Sequence, residues 1–317
     1  MSCARPALSA LAALATLTAP ARAAPGAAAP PRATPAQLVR KTLAVSGGII
    51  ELSVEPVSGA PSSPAHIERW VRRAAVAVAA LYGGFPMRRV RVMVWRTPGR
   101  GIHGTAFGTG LVRVRLGVET PPERLDSDWV MTHELIHLGF PDLDDRHIWM
   151  EEGLSTYFEP IARARVGHVP VEQVWREMFR DLPQGLQRAG DAGLDRTPSW
   201  GATYWGGALY WFLADVQIRE RTGNRRSADD ALRAILAAGG DQSHHWPIER
   251  VLAVGDRATG TDVLAGLYRR LALRRFDVDL RGLAARLGVT GAARLDDRAP
   301  LAAIRRSITA PEPRRAR

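Results

Sequence analysis

Apolar residues alternate with polar ones over the first third of the chain and recur at helical spacing over the rest. From Thr42 to Glu55 the pattern is strand-like around Gly47-Gly48, with Ile49, Leu52 and Val54 as apolar positions. Pro64 opens a run in which Ile67, Trp70, Val71, Ala74, Val78 and Leu81 repeat every three to four residues, the period of an amphipathic helix, and Gly83-Gly84 ends it. Val90, Val92 and Val94 alternate with Arg91, Met93 and Trp95, which predicts a half-buried strand. A glycine-rich loop from Gly99 to Gly110 leads to another strand at Leu111, Val112, Val114 and Leu116. These elements predict a small α/β lobe over residues 37–125. Beyond Pro122 the strand pattern stops, and helices are predicted over roughly 127–139, 148–166, 171–181, 203–222 and 227–238, with shorter ones to about 308. The predicted class is α+β, a small mixed lobe followed by an all-helical region at 126–308, with no internal repeat.

The two ends break this pattern. Arg5 precedes an alanine and leucine run from Ala7 to Thr18, and Ala21-Arg22-Ala23 supplies a small-x-small cleavage pattern, so residues 1–23 read as a secretory signal peptide. The run is too short to span a bilayer once cut at Pro20. No stable membrane anchor is expected after signal removal, and the expected location is periplasmic or secreted. Residues 24–36, with Pro25, Pro30, Pro31 and Pro35 among alanines, read as a flexible leader, and residues 309–317 as a disordered tail rich in proline and arginine.

Composition narrows the function classes. Cys3 is the only cysteine and lies in the removable segment, so the mature chain lacks the thiols that disulfides, cysteine-zinc sites and thiol catalysis need. With 46% apolar and 24% charged residues in 317, the chain has an ordinary globular balance. Its formal charge of +11 is carried almost wholly by arginine, since Lys41 is the only lysine. The arginines scatter through every predicted helix without forming a stripe, so nucleic acid is not an expected partner; lipid headgroups and cell-wall polymers are the anionic neighbours the charge suits.

The chemistry concentrates in His133-Glu134-Leu135-Ile136-His137. On a helix, capped by Asp126 or Ser127 and ending at Gly139-Phe140-Pro141, the two imidazoles fall on one face, which is half of a catalytic zinc site. A third, anionic ligand would leave a fourth position for water, and Glu152 in Trp149-Met150-Glu151-Glu152-Gly153 supplies it at the start of the next helix. Glu151 is the alternative, but it points about 100° away around that helix. Glu134 lies between its two histidines and reads as the general base. Weaker candidates are His103 in the glycine-rich loop as a substrate contact, His147 as a surface cap, and His244-His245 as a turn. Thr156, or alternatively Asp142, could orient a ligand.

These residues resemble a known family. His133 to His137, followed by Trp-x-x-Glu-Gly at 149–153 and by Tyr157, resembles the gluzincin zinc metallopeptidases. Tyr204-Trp205-Gly206-Gly207-Ala208-Leu209, continuing through Asp215, Ile218-Arg219, Thr222-Gly223 and Ser227-Ala228-Asp229-Asp230, resembles the tyrosine-led helix of the glycyl aminopeptidase family. The match covers residues 126–238 and includes no PDZ domain, which longer members carry. It implies a thermolysin-like zincin core, one zinc per chain on His133, His137 and Glu152, and Glu134 as base. Tyr204 matches the tyrosine that donates to the tetrahedral oxyanion, although Tyr204 also belongs to an aromatic cluster of core type. The implied substrate is a peptide or protein, aligned by strand addition to the lobe's edge strand near Leu111 to Leu116.

Three departures qualify the match. Only 14 residues, 138–151, separate His137 from Glu152, so the connection must turn tightly through Pro141, Asp142, Asp144 and Asp145. Gly206 stands where relatives often carry lysine. The segment matching the one that holds a free amine through a glutamate, His103-Gly104-Thr105-Ala106-Phe107-Gly108, contains no acid. Endopeptidase and aminopeptidase action thus both stay open. The competing function class is a non-catalytic zinc-containing envelope protein that binds peptide or cell-wall material.

Overall fold

The computed structural model describes residues 38–290 and 294–311. The expected signal peptide, the leader to residue 36 and positions 312–317 of the expected tail lie outside the described residues. The first strands form a hairpin: β1 (Val39–Val45) and β2 (Gly48–Val54) pair antiparallel with Val45 opposite Gly48. The strand-like stretch from Thr42 to Glu55 is therefore part of two strands. Gly47 turns the chain between them at φ +90°, a conformation that costs glycine little.

From β2 the chain crosses through α1 (Pro64–Tyr82) into β3 (Arg89–Thr97), which runs parallel to β2. Ser63 and His66 close a capping box at the start of α1, Pro64 takes its first turn, and left-handed Gly83 ends it. β4 (Ile102–Phe107) and β5 (Leu111–Gly117) form a second hairpin, and β5 inserts beside β3 to give the sheet order β1-β2-β3-β5-β4. This corrects two expectations. Much of the glycine-rich segment is strand, and the edge on this side of the sheet is β4, because the Leu111–Leu116 strand is paired on both sides; β1 is the other edge. Pairing with β5 satisfies the backbone of a segment whose glycines give it little strand preference of its own.

Every named element after β5 among the described residues is helical: α2 (Pro122–Asp126), α3 (Val130–His137), α4 (Ile148–Arg165), α5 (Val171–Asp181), α6 (Gly207–Thr222), α7 (Ala228–Ala237), α8 (Ile248–Thr259), α9 (Val263–Leu271), α10 (Leu280–Leu287) and α11 (Ala302–Thr309). The fold is α+β. Alternation puts Ile50, Leu52, Val90, Val92, Val112 and Val114 on one buried face of the sheet, and α1 and α3 pack against the sheet. Tyr82, the last residue of α1, donates its hydroxyl to the Ile136 carbonyl at 2.9 Å and ties the two helices together. No helix of the described residues is long and apolar enough to cross a membrane.

Two polar devices hold the helical region in place. Arg165 of α4 makes paired bonds to Asp229 of α7 at 2.7 and 2.9 Å and donates to the Ile308 carbonyl of α11. Asp215 of α6 accepts from Tyr157, Arg219 and the Ala228 amide, each at 2.9 Å. Asp215, Arg219 and Asp229, all part of the matched tyrosine-led motif, are thus braces between helices. The second device starts α3. That helix begins at Val130, and neither Asp126 nor Ser127 caps it. Asp128 takes the Met131 amide at 3.2 Å and the Trp70 indole N–H at 3.0 Å.

Burial pushes the Asp128 carboxyl up to about 6, against the pull of its bonds from Met131 and Trp70. The folded protein then holds this proton more tightly than the unfolded chain does, so its contribution to stability falls as the pH rises from about 4 to about 6 and is constant above. Asp128→Asn keeps an acceptor but cannot ionise. Its stability relative to wild type is expected to improve across that window by on the order of 3 kcal/mol at most. Urea unfolding of both proteins at pH 4 and pH 7 checks the direction.

Candidate metal centre

His133 and His137 lie one turn apart on α3, and the face they share looks onto the first turns of α4. There Glu152 Oε2 stands 3.0 Å from His133 Nε2 and 3.5 Å from His137 Nε2, and one donor atom from each of the three residues lies within 4.8 Å of the others. The imidazoles meet edge to face at 4.9 Å. Both histidines are buried and the Glu152 side chain keeps 17% exposure, so the cluster opens to solvent on the glutamate's side. Two imidazole nitrogens and one carboxylate oxygen converging in this way suit a divalent cation of the zinc type.

The charges around the cluster are strongly coupled. Burial opposes ionisation of Glu152, but His137 and His133 outweigh it and hold the carboxyl well below the usual carboxylate range. Burial likewise opposes the His137 imidazolium, and the Glu152, Glu134 and Glu151 carboxylates overcome it and raise the ring to about 9. Glu151 faces elsewhere. Its carboxylate accepts the Leu143 amide at 3.1 Å, and burial pushes it up to about 8. The 100° step around α4 thus separates the two neighbouring glutamates, one toward the histidines and one toward the turn that connects α3 to α4.

Glu134 projects from α3 toward the sheet edge, where β4 passes over it. A Cβ on Gly104 would lie 2.4 Å from Glu134 Cγ, so only glycine lets the strand run this close. Burial raises the Glu134 carboxyl; His133 and His137 pull it down, Glu152 adds to the rise, and a hydrogen bond from the Ala106 amide steadies the charged form.

Tyr204 arrives from the far side. The helix expected over 203–222 begins as a π-helical turn, Gly201–Gly206, before continuing as α6. That wide turn sets the Tyr204 ring 6.2 Å from His133 and brings its hydroxyl to the Glu152 carboxylate. Burial, then Glu152 and Glu134, push the phenol above its usual range, so it stays a neutral donor. Gly206 packs against Leu194, whose Cδ2 lies 2.6 Å from where a Cβ would stand, so a larger residue here requires the Leu194 side chain to move.

The weaker candidates lie elsewhere. His103 alternates to the face of β4 opposite Gly104 and pairs in register with Arg115. His147 is fully buried, where a surface cap was expected; its Nδ1 sits 3.0 Å from an Asp195 oxygen that also takes the Trp149 indole N–H at 2.8 Å, and Tyr268 donates to the other oxygen at 2.7 Å. Asp142 pairs with His245 at 2.9 Å, which anchors the turn around His244-His245. No side-chain hydrogen bond joins Thr156 to Glu152 among the described residues. Sequence reasoning missed Asp195, Asp128 and the contact of β4 with Glu134. Only the last had a signal, the alternation of Ile102, Gly104 and Ala106 with His103, Thr105 and Phe107.

The chain matches no protein-family model and no curated protein. Its fold is similar to that of an aminopeptidase N family protein from Idiomarina loihiensis, with a TM-score of 0.61 and 14% identity over 79% of this chain and 49% of that one. It is also similar to an M1 zinc metallopeptidase from Deinococcus radiodurans, with a TM-score of 0.50 and 18% identity over 76% of this chain and 53% of that one. The chain thus spans about half the length of the solved structures it matches. At these identities the likeness establishes a shared fold.

The metal-free chain is expected to take up one equivalent of zinc. Glu152→Gln should weaken that binding by roughly tenfold or more, whereas Glu151→Gln, which can still accept the Leu143 amide, should leave it within about threefold. Competition with a chelating dye measures both.

Proposed function

We propose that this chain is an exported zinc metallopeptidase with a thermolysin-like zincin core that hydrolyses peptide bonds. One observation carries the reading: the free sheet edge, a buried carboxylate beneath it, the three converging metal donors and a neutral phenol all meet in one place. His133, His137 and Glu152 hold one zinc, which supplies a Lewis acid for the scissile carbonyl and lowers the pKa of water. An extended peptide lies along β4, the sheet edge that packs against α3, in place of the Leu111–Leu116 strand expected from sequence, and the missing Cβ of Gly104 lets its backbone come close to Glu134. The Glu134 carboxylate takes the proton of the attacking water and returns it to the leaving amine. The Tyr204 hydroxyl, kept protonated by burial and by its acidic neighbours, donates to the oxygen on which charge develops.

The β4 segment His103 to Gly108 carries no carboxylate to hold a free amine, so cleavage needs no free amino terminus in this reading. Residues 1–23 direct export, and a mature chain starting at Ala24 in the culture medium or periplasm is the corresponding observation.

Glu134→Gln is expected to lower kcat/KM on a mixed peptide library by about 100- to 10,000-fold while zinc content is unchanged. Unchanged hydrolysis would remove Glu134 from the mechanism. Zinc binding without any cleavage by wild type would favour the non-catalytic envelope protein. Gly104→Ala places a methyl group against Glu134 and is expected to cut turnover roughly tenfold or more with zinc retained, because the base and not the metal donors is displaced.

A further inference from the structure

Large apolar side chains are seldom left in water on this protein, and two of the exceptions are tryptophans. Trp129 is 46% exposed and Trp200 is 54% exposed, whereas Trp70, Trp149, Trp175, Trp211 and Trp246 are all buried. Neither exposed indole donates a hydrogen bond to a protein acceptor among the described residues. Both stand at the site described above. Trp129, one turn before His133, meets that ring edge to face at 5.5 Å; Trp200, one turn before Tyr204, lies 5.6 Å from the phenol; and Tyr204 lies 6.2 Å from His133. The four rings form a continuous row, Trp129–His133–Tyr204–Trp200, with a metal donor and the phenol in the middle and an open indole at each end.

We propose that Trp129 and Trp200 rim a subsite that takes an aromatic or large aliphatic side chain of the peptide beside the scissile bond. The inference rests on the peptidase reading and names its substrate class. Covering indoles of this exposure is favourable in rough proportion to the apolar area removed from water. The occupant is constrained by place. The two indoles flank the reaction centre, so a permanent partner covering both would close the site, whereas a substrate covers them only while it is bound. Charge constrains the occupant further. Glu134 and Glu152 act on Tyr204 in the middle of the row and disfavour an acidic side chain there.

The test compares the full zinc-loaded mature chain with Trp129→Ala, Trp200→Ala and Trp129→Phe, and with Leu273→Ala as a control at another exposed apolar residue. Fluorogenic peptides carry Phe, Leu, Ala or Glu at one position beside the scissile bond at a time. Phenylalanine and glycine hydroxamates are titrated separately by calorimetry, a reading that needs no turnover. Wild type is expected to favour Phe and Leu over Ala by about tenfold in kcat/KM on at least one side, and to bind phenylalanine hydroxamate about tenfold more tightly than glycine hydroxamate. Trp129→Ala or Trp200→Ala should lose that preference mainly through KM with zinc content unchanged, Trp129→Phe should keep most of it, and Leu273→Ala all of it. A wild type without preference, or a preference that survives in both alanine variants, overturns the subsite. If no peptide is cut but the hydroxamate preference is present and lost with the indoles, the subsite stands and the catalytic reading falls. If neither peptide nor hydroxamate is engaged, both fall.

Discussion

Helices α4 and α6 meet at a point where there is no room for a side chain on either. A Cβ on Gly153 would stand 2.1 Å from the Gly207 carbonyl carbon, and one on Gly207 would stand 1.9 Å from the Trp149 carbonyl oxygen. Everything at the site depends on this approach. Glu152 immediately precedes one glycine and Tyr204 lies three residues before the other, so the contact that brings the backbones together also brings the carboxylate and the phenol within reach. The interlock is then held by Trp211, which donates its indole N–H to the Met150 carbonyl at 2.9 Å, by Tyr157 of α4, which donates to Asp215 of α6 at 2.9 Å, and by Asp229 of α7, which pairs with both Arg165 of α4 and Arg219 of α6. Buried ion pairs contribute less to net stability than their geometry suggests, but breaking one leaves an uncompensated charge, which makes them effective at specifying one arrangement.

A second constraint is electrostatic. Glu134, Glu151 and Glu152 are drawn into one poorly hydrated region with two imidazoles, and their environments push them apart: Glu152 is held ionised by the histidines, while Glu134 and Glu151 are lifted by burial. Three carboxylates at one site therefore differ in what they can do. One converges with the two histidines, one lies beneath β4, and one accepts the Leu143 amide that shapes the tight turn. Divergent environments of this kind let neighbouring carboxylates on one helix pair differ in charge and in proton affinity.

Much of this was legible in the chain. The period of α1, its proline start and its glycine end, the alternation of β3, and the spacing of His133, His137 and Glu152 all express local rules that hold wherever the segment is placed. The features that depart from local pattern share a cause. The glycines in and around β4 lower its strand preference, so local pattern predicts a loop there, yet Gly104 is what lets the strand cross Glu134. β5 is not the edge that its pattern suggests, because alternation reports that a strand is half-buried and says nothing of its neighbours. Nothing local to His147 predicts its burial, because its partner, Asp195, lies 48 residues away and joins it only in the fold.

By itself, then, the sequence determined which residue types stand one turn apart and which faces are apolar, since helix and strand periods translate spacing directly into direction. It settled the α+β class, the pairing of two histidines on α3 and the divergence of Glu151 from Glu152. Only the tertiary structure decided which strand is free, how Tyr204 reaches Glu152 through a π turn, and that Trp129 and Trp200 stand open at the two ends of the same row of rings. Those are relations between segments far apart in the chain, fixed by close packing and by the pairing of backbone groups, and no local pattern encodes them.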